Sequence, residues 1–142
     1  MDVTREVFES QRRPRFGAAN PERMDLAFWT MMVRGHEEAR RLEGDDARRE
    51  GLLQTPTDVR RFFGQEEEDY SRGPIWTFDR MGATRTPLPD GRVIYVAGEH
   101  EDWYDPDFFI YNDVVVVESE TVAAIYGYPR DVFPPTDFHT AT

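Results

Sequence analysis

The stretch RMGATRTPLPDGRVIYVAGEHEDWYDPDFFIYNDVVVV, Arg80 to Val117, decides how this chain folds. It opens with a hydroxyl-rich segment, Thr84 to Thr86, and reaches Pro89-Asp90-Gly91. That triplet carries turn chemistry, because Gly accepts a positive φ and Asp hydrogen-bonds its own backbone. Val93, Tyr95 and Ala97 then alternate against Ile94 and Val96, the period-two signature of a strand. Working outward, IWTF from Ile75, FFIYNDVVVVE from Phe108 and TVAAIYGY from Thr121 read as further strands, the last two joined by the compact Ser119-Glu120 link. Four strands in chain order with short joints predict an antiparallel meander.

Upstream the pattern is helical. Asn20 offers an N-cap with Pro21 at the first helical position. Met24, Phe28 and Met32 follow at i, i+4 and i+8, with Ala27 and Met31 on the neighbouring row. This spacing predicts an amphipathic helix running to about Glu43, weakened at Gly35. The arm before it contains QRRPRFGAAN and is expected to be irregular. After Gly44, the run ARREGLL adds a helical turn or two, and Thr57 caps DVRRFF, which stops at Gly64. The charged run GQEEEDYSRG marks the boundary between a helical region, 1–72, and a β region, 73–142. The predicted class is α+β: N-terminal helices packed on an antiparallel meander of four to five strands.

Composition narrows the function classes. A chain of 142 residues is one ordinary domain. It has no Cys, so disulfides, thiolate metal sites and thiol nucleophiles are absent. The net charge is −11, and residues 73–142 hold most of it, with 12 acids against 4 Arg giving −8. Such a surface repels phosphate backbones and disfavours a nucleic-acid partner. No apolar run approaches a membrane span, and MDVTREVFES lacks the basic-then-apolar form of a signal peptide. A cytoplasmic protein is expected.

One family resemblance emerges from the opening stretch. Gly82, Thr84, Thr86, Leu88, Pro89, Asp90, Gly91, Arg92 and Gly98 resemble the kelch repeat of galactose-oxidase-like β-propellers, as it occurs in uncharacterised bacterial kelch-repeat proteins. Ala83 departs from the usual His, and Ala97 from the first Gly of the family's Gly pair. FHTAT, from Phe138, repeats GATRT, from Gly82, at an offset of 56 residues, near the period of about 50 for such blades. The resemblance covers about residues 74–142 and implies one blade plus the first strand of another. A lone blade leaves faces bare. The chain is then a piece of a longer propeller, or its faces pair with other chains, or its own helices cover the blade, which is the arrangement expected here.

Three constellations bear on chemistry. Glu99, Glu101, Asp105 and Asp107 form an acidic run that suits a hard cation such as Ca²⁺, although the EF-hand spacing is missing. A solvated loop explains the same residues. His100, Asp102 and His139 have the His-x-Asp…His form of a 2-His-1-carboxylate site for Fe or Mn, against which His139 reads as the kelch His. Trp103 and Tyr104 beside the acids, with Arg80, offer a binding surface; Arg80 and Asp79 beside Trp76 suit a polar ligand, or Arg80 pairs with an acid of the blade. No copper-radical site is implied, because the kelch oxidases need a Cys. The leading expectation is a non-enzymatic interaction module for a protein or peptide partner rich in Arg, with homo-oligomers also allowed. The alternative is a metal-dependent enzyme, with the His-x-Asp…His set as ligands and Glu101 or Asp105 as base.

Overall fold

The computed structural model describes residues 3–64, 77–100 and 108–141. In chain order the elements are α1 (Arg5–Gln11), β1 (Glu22–Arg23), α2 (Ala27–Arg41), α3 (Asp46–Arg49), α4 (Pro56–Phe62), β2 (Thr84–Pro87), β3 (Val93–Val96), β4 (Glu99–His100), β5 (Phe109–Ile110), β6 (Val114–Val117) and β7 (Ala123–Gly127). The class is α+β. A five-stranded antiparallel sheet has the order β1-β7-β6-β3-β2, and β4 and β5 form a separate ladder.

Within the sheet β2 pairs with β3, β3 with β6 and β6 with β7, the β4–β5 ladder intervening in the chain between β3 and β6. Thr86 faces Ile94, Ile94 faces Val116, and Val116 faces Ala124. Because side chains alternate along each strand, this register sorts them onto two faces. One carries Val93, Tyr95, Val115, Val117 and Ile125, all buried. The helices cover that face: Met24, Phe28 and Met32 are 5%, 0% and 1% exposed and join those strand residues in one hydrophobic cluster. Both halves of the chain therefore share a core.

Several local expectations are corrected. The supposedly irregular arm contains α1, capped where Thr4 Oγ1 accepts from Val7 N at 3.2 Å. Seven residues are too few to hold a helix alone. Phe8 holds it, stacking on Phe63 with ring centroids 4.4 Å apart and meeting Phe28 at 5.1 Å. The helix expected from Pro21 opens at Ala27, because Glu22 and Arg23 pair with Gly127 and Tyr126 along the edge of β7. Met24 lies in that connection, not on the helix, and donates its backbone N–H to Ile125 O at 2.8 Å. Leu26 provides no side-chain cap for α2; Gln11 supplies one instead, its Oε1 accepting from Phe28 N at 2.9 Å. The helix ends at Arg41, short of Glu43.

Thr55, not Thr57, caps α4. Thr55 Oγ1 accepts from Asp58 N at 3.1 Å and Asp58 Oδ2 accepts from Thr55 N at 3.0 Å, a reciprocal capping box with Pro56 in the first turn. The first strand of the meander is β2, and Thr77–Arg80, which includes the end of IWTF, is not strand. FFIYNDVVVVE divides into β5 and β6, which lie in different sheets. Asn112 makes the break. It is 1% exposed, and its Nδ2 donates to Tyr128 O at 2.8 Å and Phe133 O at 2.9 Å. Residues 138–141 form no strand.

The weak point of α2 is legible. Gly35 sits inside the helix, and a Cβ built there would meet only Leu53 O, at 3.8 Å. Since Gly costs a helix interior about 0.5–1 kcal/mol relative to Ala, Gly35→Ala raises the unfolding free energy by about that amount. An increase in urea midpoint without a change in slope checks it.

Candidate functional site

The sequence-derived candidates divide when placed in the fold. Asp102, Glu101, Asp105, Asp107, Trp103 and Tyr104 lie outside the described residues. Glu99 and His100 form β4 and are buried, at 5% and 7% exposure, paired with Ile110 and Phe109. His139 stands beside β2, its Nε2 3.1 Å from Thr84 Oγ1. That nitrogen is already occupied by a hydroxyl. Among the described residues, no group of three His, Asp or Glu side chains is placed to hold a metal.

Arg80 has a buried side chain. Its side chain is 5% exposed, and Asp113, at 12%, meets it in a two-point contact of 2.6 and 2.9 Å. A third bond runs to Ala97 O at 3.2 Å. The guanidinium lies 3.5 Å from the Tyr111 ring centroid and 4.7 Å from that of Phe78. Burial disfavours its charge, but the Asp113 carboxylate outweighs burial and raises its pKa. Burial likewise pushes the Tyr111 hydroxyl up. The sequence offered pairing with an acid of the β region as one option for Arg80, and Asp113 is that acid.

A second polar tie joins α2 to the sheet. Arg85 donates to Glu37 from Nε and Nη2, at 3.2 Å each, and Tyr95 donates to the same carboxylate. Burial and Glu37 push the Tyr95 hydroxyl up to about 12. For Glu37, burial raises the pKa, but the hydrogen bonds from Arg85 and Tyr95 prevail and lower it. In both ties the charges are matched internally.

The sheet face turned away from the helices is different. Thr84, Thr86, Ile94, Val96, Val114, Val116, Ala124 and Tyr126 share it by register. All but the small Ala124, which is 3% exposed, are partly exposed, and none belongs to the hydrophobic cluster beneath the helices. Phe138 borders this face, 69% exposed, its backbone N–H donating to Gly82 O at 2.8 Å. Met81 is 51% exposed beside it. The sequence signal for this face was the alternation of Ile94 and Val96 against Val93 and Tyr95.

Glycines at two positions flanking β2 and β3 are required by the backbone. Gly98 has φ +97, and a Cβ there would lie 2.6 Å from Ala83 Cβ. Gly82 has φ +65 and is closed over by Phe138. Ala97, immediately before Gly98, has φ 50. No protein-family model matches the chain, and no curated protein or solved structure is significantly similar to it. No helix among the described residues is long and apolar enough to cross a membrane.

Proposed function

We propose that this chain is a non-enzymatic interaction module that binds a basic, Arg-rich polypeptide across the open face of its meander. The carrying observation is the row Ile94, Val96, Val114 and Val116, apolar and only half-buried, on a sheet whose other face is sealed by helices. Scattered surface apolar residues need no explanation, but a contiguous row on one face does. Charge selects the occupant: residues 73–142 carry −8, from 12 acids and 4 Arg, and complementary charge speeds encounter and rejects acidic partners. The kelch resemblance supports a binding role, since the loops of such a blade usually do the recognising. So do the antiparallel β2-β3-β6-β7 order and the left-handed glycines at Gly82, Gly91 and Gly98. A cytoplasmic setting fits the absence of Cys.

Fluorescence anisotropy with a labelled peptide alternating Arg and Val tests the reading. Binding should weaken with added salt, and a Glu-Val peptide should not bind. Val116→Lys removes apolar area and adds like charge, and should weaken affinity by about tenfold or more. Unchanged affinity in that variant would overturn the proposal. So would self-association of the chain that Val116→Lys abolishes in sedimentation, because the occupant would then be a second copy.

A further inference from the structure

We propose that the cleft between the C-terminal half of α2 and the α3–α4 connection is a binding site for a small organic carboxylate with an apolar body. The cleft holds about 390 Å³, inside the range of roughly 300–1,000 Å³ typical of small-molecule sites. It lies on the helical side of the sheet, away from the open face, so its occupancy is independent of the polypeptide-binding reading.

The cleft has two kinds of wall. Met32, Ala39, Leu53 and Phe78 are apolar and suit an alkyl or aryl group. Arg40, Arg49 and Gln54 line it as donors. Arg40 is exposed, and its side chain makes no hydrogen bond or ion pair among the described residues. Arg49 is held from one end, Nη2 donating to Gln54 Oε1 at 3.2 Å, while its Nε is buried with no hydrogen-bond partner. A buried N–H without an acceptor is uncommon. A cleft-bound carboxylate reaches that N–H only when the Arg49 side chain turns toward the cleft, and the planar guanidinium then matches it in two-point contact.

The rim sets the ligand's charge. Asp79 and Glu43 line the cleft opposite in sign to the two Arg. Burial, opposed by Asp79 and Glu37, lowers the pKa of His36, which also lines the cleft. The local charge is then near balance, which admits a monoanion and disfavours a phosphate dianion. His36 is fixed edge-on to Phe78 and Tyr95, at 5.4 and 5.9 Å, so the wall is preformed.

Isothermal titration of the full chain with benzoate and hexanoate tests this, with hexanol, hexylamine and inorganic phosphate as controls. Saturable binding of the two carboxylates alone is expected. Arg49→Gln should weaken it about tenfold, as for loss of a charge-assisted pair. Leu53→Trp, which fills the apolar wall, should block it even if Arg49→Gln fails to fold. Absence of saturable binding by benzoate and hexanoate would overturn the proposal, as would equal binding of hexanol or phosphate. Retention of full affinity by a folded Arg49→Gln or by Leu53→Trp would do the same.

Discussion

Asp113→Ala lowers the unfolding free energy by about 3–5 kcal/mol, because it strands a guanidinium inside the protein. Arg80 has almost no route to water, with its side chain 5% exposed between the Tyr111 and Phe78 rings. Its remaining acceptor among the described residues would be Ala97 O, at 3.2 Å. The damage would spread locally, since Ala97 N also donates to Asp113 O at 2.9 Å, joining the end of β3 to the start of β6. Against a typical total of about 5–15 kcal/mol, such a loss leaves a marginal fold. The double variant Arg80→Met, Asp113→Leu should recover most of it, since replacing both charges by apolar groups is often neutral. Urea denaturation of the two single variants and the double one gives the coupling directly. A loss below about 1 kcal/mol for Asp113→Ala would mean that the pair behaves as an exposed one.

The reach of the sequence can be judged from that same pair. Arg80 and Asp113 are 33 residues apart, and no periodicity connects positions so distant. The sequence showed only that Arg80 wanted an acid. Local chemistry was far more legible. Pro89-Asp90-Gly91 turns as its residues require: Arg92 N donates to Asp90 Oδ1 at 3.1 Å and Gly91 takes φ +91. The alternation from Val93 to Val96 sorted the two faces correctly. Where the sequence misled, a tertiary partner overrode a local signal. Asn20-Pro21 is a strong helix start in isolation, but β7 had unpaired backbone groups at its edge and took Glu22 and Arg23. Thr57 resembles a cap as much as Thr55 does; Asp58 decides between them, because it completes the box only with Thr55. FFIYNDVVVVE reads as one strand until Asn112 finds two carbonyls far along the chain. The open face was legible as a pattern, but its significance was not, because alternation cannot say which side the helices choose.

Phe8→Ala should cost about 3–5 kcal/mol, the range for emptying a buried phenylalanine site. The arm around it looks dispensable by composition: basic, broken by Pro14 and Gly17, and ahead of the main helix. Its packing says otherwise. Phe8 is 0% exposed, parallel to Phe63 at 4.4 Å and 3° between planes, and tilted against Phe28 at 5.1 Å. Truncation removes a ring from the centre of three elements at once. α1 is then left with little to bury, and a helix of its length does not persist unaided. The consequence passes to α2, whose first turn depends on Gln11 for the bond to Phe28 N and for the acceptor of Trp29 Nε1, at 2.8 Å. Phe8→Leu keeps most of the volume and should cost less than about 1.5–2 kcal/mol. Urea midpoints measured with the fluorescence of Trp29 and its neighbours would separate the two variants, and equal, small losses would show that α1 is an appendage and not part of the core.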